Sequence, residues 1–165
     1  MDSKRLNKQT ENKGLKINFM EFRTRPKSNY MLEAEWQELH ALTIHWQSDV
    51  TFFGDELRFI DLLIDKYFTT LVDKNHIAIT KDVTAKLSDI KKTYESLHQK
   101  VSIHLQHFEN CVADPFASDA FRNEHATLED ELVSFVKNFR DIKRSVFQLT
   151  EQVIKDEKEK HLIGR

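Results

Sequence analysis

The most apolar and most aromatic stretch of the chain is Leu32–Leu71, which reads LEAEWQELHALTIHWQSDVTFFGDELRFIDLLIDKYFTTL. Its principal side chains recur every three or four residues, the spacing of one face of an α-helix. The positions that set this spacing are Leu32, Trp36, Leu39, Leu42, Trp46, Asp49, Phe53, Glu56, Ile60, Leu63 and Tyr67. Gly54 lies inside the run but the register is the same on both sides of it, so we expect one continuous helix.

Two further stretches carry a helical repeat, over about 81–112 and from about 120 to 155 or beyond. The second helix has a heptad seam of Val83, Leu87, Ile90, Tyr94, Leu97, Val101, His104, Phe108 and Cys111. The third has a seam of Phe121, His125, Leu128, Leu132, Phe135, Phe139, Ile142, Val146, Leu149 and Val153. Thr80 is expected to cap the second helix, because its hydroxyl can accept a bond from an N–H of the first turn.

The composition favours the same fold class. Only 3 of the 165 residues are Gly and 2 are Pro, too few for the turns of a multi-stranded sheet. Short connections make neighbouring helices antiparallel. The sequence therefore predicts an all-α, elongated antiparallel bundle of three long helices, with coiled-coil-like seams, over residues 30–158.

The apolar face of the first helix is wider than a three-helix seam needs. A helix of this kind requires neighbours on more than one side. We therefore expect a protein partner, or a homodimer that completes a larger bundle. The predicted interaction face consists of Trp36, Trp46, Phe52, Phe53 and Phe59.

The two ends of the chain differ from its centre. Residues 1–30 carry eight Lys or Arg and three Asp or Glu, a net charge of +5, whereas the remainder carries 17 and 24, a net charge of −7. Residues 1–29 are predicted to be a basic, largely disordered arm, and residues 159–165 a frayed tail. The arm could contact nucleic acid or an anionic surface, although a solvated tail is the simpler interpretation.

The cysteine content and hydropathy bear on the compartment. Cys111 is the only cysteine, so an internal disulfide is excluded and a reducing compartment is favoured. The N-terminal residues resemble no signal peptide, and no run reaches the ~18–20 apolar residues of a transmembrane helix. We expect a cytoplasmic protein with no transmembrane segment.

Histidines and carboxylates form one candidate layer in the predicted bundle. Folding at the two connections places residue i of the first helix opposite residue 150−i of the second, and residue j of the second opposite 232−j of the third. This register brings together three pairs that each share a helix face. The candidate metal ligands are His45, Asp49, His104, His107, His125 and Glu129.

The layer resembles the metal centre of hemerythrin-type bundles, which collect His and Asp or Glu ligands from successive helices. Di-metal carboxylate proteins build sites in bundle cores in a similar way. The resemblance implies a bound metal, with Fe or Zn as the cofactor. That family uses four helices, whereas three are predicted here. The favoured interpretation treats His104 and His125 as hydrogen-bonded core residues with no cofactor, and a bound metal is the alternative.

A second polar layer is predicted around the two carboxylates of the first helix. Asp49 and Glu56 fall in the apolar seam, where a carboxylate must be paired or hydrogen-bonded. The same register places Tyr94 and Arg140 near Glu56 as its partners. The simpler interpretation of this layer is a device that fixes the helix register.

No catalytic residues are predicted. The sequence contains no Gly-rich phosphate loop, no CxxC pair and no HExxH motif. We therefore expect a non-enzymatic protein–protein interaction or scaffold module. The alternative is a metal-binding helical bundle that uses the histidine and carboxylate layer.

Overall fold

Three helices pack against one another in the described part of the chain. The computed structural model describes residues 34–71, 76–110 and 119–163. Helix α1 spans Trp36–Leu71, α2 spans Ile77–Asn110 and α3 spans Asp119–Ile163. All three pairs of helices are in contact, and no strand occurs within these residues. The predicted all-α bundle of three long helices is confirmed, while the predicted arm 1–29 and Cys111 lie outside the described ranges.

Polar contacts at the two ends of the bundle show the helix directions. At one end, the Arg122 guanidinium donates to the Ala34 carbonyl at 2.9 Å, so α1 and α3 begin at the same level. At the other end, the Thr70 hydroxyl donates to Glu157 at 2.6 Å. His76, which precedes α2, contacts Asp156 near the end of α3 at 2.9 Å. Helix α2 is therefore antiparallel to α1 and α3, as predicted.

The helix register follows the folding rule closely. Lys91 of α2 forms an ion pair with Asp61 of α1, two residues from the predicted level. Lys100 of α2 pairs with Glu131 of α3 at 2.6 Å, one residue from the predicted level. The seams can therefore interlock along the whole bundle.

The heptad seams of α2 and α3 form most of the core. All ten predicted seam positions of α3 are buried. In α2, the seven described positions other than Tyr94 are buried and Tyr94 is partly buried against the core. Because each seam is apolar on only one side of its helix, the sequence allows one way to bury it.

The seam of α1 differs from the prediction in its middle. Val50 and Leu57 are buried at 1% and 4% exposure, and they fill the positions expected for Asp49 and Glu56. Both carboxylates lie half-buried at the edge of the core. The physical reason is that α1 is apolar on adjacent faces. Trp46, Phe53 and Ile60 stay buried as predicted. A rotation smaller than the ~100° between successive residues brings Val50 and Leu57 inward and moves the carboxylates to the edge.

The start of α2 also differs from the prediction. The helix begins at Ile77, and the Thr80 amide donates to the His76 carbonyl at 2.9 Å, so Thr80 lies within the first turn. Its hydroxyl donates instead to the Leu71 carbonyl at the end of α1, also at 2.9 Å. The predicted N-cap at Thr80 is therefore wrong, because the side chain satisfies the last turn of the preceding helix.

The helix ranges also show the continuity of α1 and the extent of α3. Helix α1 is continuous through Gly54, which confirms the predicted single helix. Helix α3 continues to Ile163, past the predicted domain boundary at 158. The last turn of α3 carries Lys160 and His161, which are basic residues suited to the negative end of the helix dipole.

Candidate functional site

Two buried histidines lie side by side near one end of the bundle. His104 of α2 and His125 of α3 are both 0% exposed. The Nε2 atom of His104 is 3.0 Å from Nδ1 of His125. Both residues occupy seam positions of their heptads, and antiparallel packing of α2 on α3 brings these positions together.

Aromatic rings enclose the histidine pair. His104 stacks on Phe121, with ring centroids 4.4 Å apart and an interplanar angle of 13°. His125 stacks on Trp46 of α1 at 4.4 Å. Phe108 contacts Phe121 at 4.7 Å and closes the end of the core. The rings hold both imidazoles in fixed orientations and keep water away from them.

A carboxylate and a third histidine lie at the edge of this pair. The Oε1 atom of Glu124 is 3.1 Å from Nδ1 of His104 and 3.8 Å from Nδ1 of His107. The side chains of Glu124 and His107 are 49% and 46% exposed. His104 thus joins a buried aromatic environment on one side to a solvent-facing polar group on the other.

The hydrogen-bond partners determine the proton positions on the neutral histidines. An ionised carboxylate only accepts, so Nδ1–H of His104 donates to Glu124. The Nε2 atom of His104 then accepts from Nδ1–H of His125. Burial lowers the pKa of His104 below its ordinary value, and the Glu124 carboxylate offsets only part of this effect. His107 lowers the pKa of His104 slightly further by like-charge repulsion.

Part of the predicted metal layer is brought together. His104, His107 and Glu124 offer ligand atoms that all lie within 4.8 Å of one another. His125 contacts His104 from the opposite side. Among the described residues, His45, Asp49 and Glu129 do not join this group. His45 is exposed, and Asp49 and Glu129 are half-buried on α1 and α3.

Glu124 is the functional candidate that the sequence reasoning missed. The folding rule places His107 opposite His125, so a carboxylate adjacent to His125 lies at the level of both His104 and His107. Glu129 lies five residues further along α3, about 7.5 Å at 1.5 Å per residue. The antiparallel register was the signal that could have identified Glu124.

The second predicted polar layer contains one ion pair that the sequence did not predict. Glu56 pairs with Lys143 of α3, with side chains 22% and 17% exposed. Arg140, the predicted partner, is half-buried one helical turn before Lys143. Tyr94 packs against Gly54 near the same level. The layer therefore lies at the edge of the core.

The predicted interaction face is divided by the packing. Trp46 and Phe53 are buried at 0% and 4% exposure, and Phe53 packs against Phe135 and Phe139 of α3. Trp36 is partly buried against Phe108. Phe52 and Phe59 remain exposed. Of the five predicted residues, these two are available to a partner in the bundle as described.

The exposed part of α1 carries further large apolar side chains. Ile44, Phe52, Phe59 and Leu62 are between 43% and 62% exposed. At about 100° per residue, their directions fall within an arc of about 80° around the helix. We call these four residues the α1 strip.

Within residues 34–71, 76–110 and 119–163, none of the helices has the length and apolar content needed to cross a membrane. No family model, no curated protein and no solved structure matches this chain.

Proposed function

We propose that this protein is a non-enzymatic interaction module that self-associates through the α1 strip. The observation that carries the proposal is the exposure of Ile44, Phe52, Phe59 and Leu62 on one side of one helix. The strip extends over 19 residues, from Ile44 to Leu62, and is about 27 Å long along the helix axis. A row of exposed large apolar side chains along one side of a helix is a candidate for a protein–protein contact surface.

The charges beside the strip favour a second copy as the occupant. Asp55 and Arg58 lie between Phe52 and Phe59, and their side chains are 67% and 76% exposed. Within one chain they form an ion pair at 3.1 Å. In an antiparallel pair of α1 helices, the two-fold axis would pass near residue 56. Each Asp55 would then face Arg58 of the partner, and each Phe52 would face Phe59.

This arrangement has the reciprocity that a two-fold interface requires, in which residue i contacts j and j contacts i. With the two-fold axis near residue 56, the two strips overlap over residues 50–62, about 18 Å, and at a width of about 10 Å the two copies bury roughly 400 Å². Stable interfaces bury about 1,200–2,000 Å². The proposal is therefore a weak dimer whose population depends on concentration.

Light scattering of the full chain across a wide concentration range tests the proposal. The mass should rise from 19.6 kDa toward twice that value as the concentration increases. The double variant Phe52→Ser, Phe59→Ser should remain monomeric. The matched control is Ile79→Ser, which removes an exposed apolar side chain of α2 and should associate like the parent.

A charge exchange tests the choice of partner. Asp55→Arg alone and Arg58→Asp alone should weaken association, because each places like charges opposite each other across the two-fold axis. The combined variant should restore it. A chain that stays monomeric at every concentration, or association that survives the double Phe variant, would overturn the proposal. If the chain associated only after residues 1–33 were removed, this N-terminal segment would cover the α1 strip in the full chain. The proposed self-association of the full chain would then be wrong.

A further inference from the structure

We propose that His104, His107 and Glu124 bind a divalent transition-metal ion of the Zn²⁺ class. The ligand atoms of the three residues lie within 4.8 Å of one another. This inference goes beyond the proposed self-association, because it concerns different residues, which lie on α2 and α3. It also alters the ligand set that the sequence predicted, with Glu124 in place of Glu129.

The distances fit one small ion after a modest adjustment. Zn–N and Zn–O bonds of about 2.0–2.1 Å place the ligand atoms of a tetrahedral site about 3.3 Å apart. The separation of His104 Nδ1 and Glu124 Oε1 is 3.1 Å, and that of His107 Nδ1 and Glu124 Oε1 is 3.8 Å. His107 is half exposed, so its side chain can rotate to close the remaining gap.

His104 is held in an orientation suited to a ligand. Its Nδ1 atom points to Glu124, and its Nε2 atom is 3.0 Å from Nδ1 of His125. Ligating histidines usually bond through the second ring nitrogen to another group, which fixes the tautomer and the ring plane. His125 supplies that bond here, and Phe121 fixes the ring plane from one face.

Binding changes the tautomers of the two buried histidines and releases no net proton. In the metal-free protein, Nδ1–H of His104 donates to Glu124, and Nδ1–H of His125 donates to Nε2 of His104. When the ion binds, the Nδ1 lone pair of His104 forms the metal bond, and His104 carries its one proton on Nε2, which donates to Nδ1 of His125. The proton of His125 moves from Nδ1 to Nε2, so each imidazole holds one proton before and after binding. No group is oxidised or reduced.

The outer side of the cluster allows an ion to enter. His107 and Glu124 are each about half exposed, whereas His104 is buried. Two imidazoles and one carboxylate supply three protein ligands, which leaves a fourth position for water. Imidazole nitrogen suits Zn²⁺, Cu²⁺ and Ni²⁺ better than Mg²⁺ or Ca²⁺, which prefer oxygen ligands.

Calorimetric titration of the untagged, metal-free full chain with Zn²⁺ tests the site. We expect one ion per chain, and with Co²⁺ the intense visible absorption of a four-coordinate complex. His107→Gln and Glu124→Gln should each weaken binding at least tenfold. Both side chains are half exposed, so these variants should keep the fold, which circular dichroism verifies.

Two matched controls separate this site from adventitious binding. His98→Gln removes an exposed histidine of the same helix, and Glu129→Gln removes the carboxylate that the sequence predicted. Both should bind Zn²⁺ like the parent. Absence of one-to-one binding, or affinity unchanged by His107→Gln and Glu124→Gln, would overturn the proposal. Because the α1 strip contains none of these residues, the test of self-association can fail without affecting this one.

Discussion

Tyr94 of α2 lies directly against Gly54 of α1, and a Cβ at Gly54 would lie only 2.9 Å from Cζ of the Tyr94 ring. Gly is unfavourable in a helix interior by about 0.5–1 kcal/mol relative to Ala. Its presence in the middle of the 36-residue α1 is explained by this close approach of a ring from the neighbouring helix.

The substitution Gly54→Ala should destabilise the bundle, by about 1–2 kcal/mol net of the gain in helix propensity. The added methyl group forces the Tyr94 ring out of its position. Urea denaturation followed by circular dichroism measures the change. In a Tyr94→Leu background the obstacle is absent, and the same substitution should stabilise by about 0.5–1 kcal/mol. A stabilising effect of Gly54→Ala in the parent would show that the contact is not tight.

Replacing Thr80 by Val should cost about 1–2 kcal/mol. Val keeps the shape but leaves the Leu71 carbonyl without the hydroxyl that now donates to it at 2.9 Å. The matched control is Thr93→Val, whose exposed hydroxyl bonds only within its own helix, to the Asp89 carbonyl. That substitution should change the free energy of unfolding by less than about 0.5 kcal/mol. Equal effects at the two positions would argue against a special role for the bond between helices.

The ion pair of Glu56 and Lys143 should contribute more than the surface pairs of the bundle. Lys143→Met is expected to cost about 1–2 kcal/mol, between the values for exposed and buried pairs, because both side chains are largely shielded. Lys92→Met breaks an exposed 3.6 Å pair with Asp89 and should cost less than about 0.5 kcal/mol. The free energies of unfolding of the two variants provide the comparison. A smaller loss of stability for Lys143→Met than for Lys92→Met would contradict the expected ranking of the two ion pairs.

Mild acid should destabilise the bundle through His104. Burial lowers the pKa of His104 in the folded protein, so the unfolded chain binds its proton more readily. The free energy of unfolding should therefore fall as the pH drops through about 6.5, the ordinary pKa of His, until the folded-state pKa is reached. At higher pH this loss is absent, because His104 is neutral in both states.

Urea denaturation in a chelating buffer, at about pH 7.5 and about pH 5.5, measures this loss across the ordinary pKa. In His104→Gln the drop in stability should be smaller, whatever the absolute stability of the variant. The exposed His98→Gln should show the same drop as the parent. If His104→Gln retains the full drop, other groups are responsible for the acid sensitivity.

The fold was predictable where a helix has one apolar side. The seams of α2 and α3 alternate clearly with polar residues, so burial followed from the heptads alone. Helix α1 has apolar residues on adjacent faces, and its pattern could not distinguish Asp49 from Val50 as the inward position. Only packing against the other two helices determines that rotation.

The candidate site was likewise predictable only where its residues lie in a heptad seam. His104 and His125 are seam positions, so their meeting followed from the antiparallel register. Glu124 and Lys143 lie on the flanks of α3, where heptad position does not determine which neighbour a long side chain reaches. Lys143 lies three residues from the predicted Arg140, and Glu124 lies five residues from the predicted Glu129. Side-chain rotamers and small offsets between the helices decide which of two such neighbours makes the contact.

The aromatic enclosure of the histidine pair has a spectroscopic consequence. Trp36 and Trp46 are the only tryptophans of the chain, and both contribute to this one end of the bundle. Their fluorescence therefore reports the end near His104 and His125, whereas far-ultraviolet circular dichroism averages over all three helices. If the bundle melts as one unit, the two signals coincide. If the far end, where His76 meets Asp156, opens first, helical signal is lost while the indole emission is still that of the folded protein.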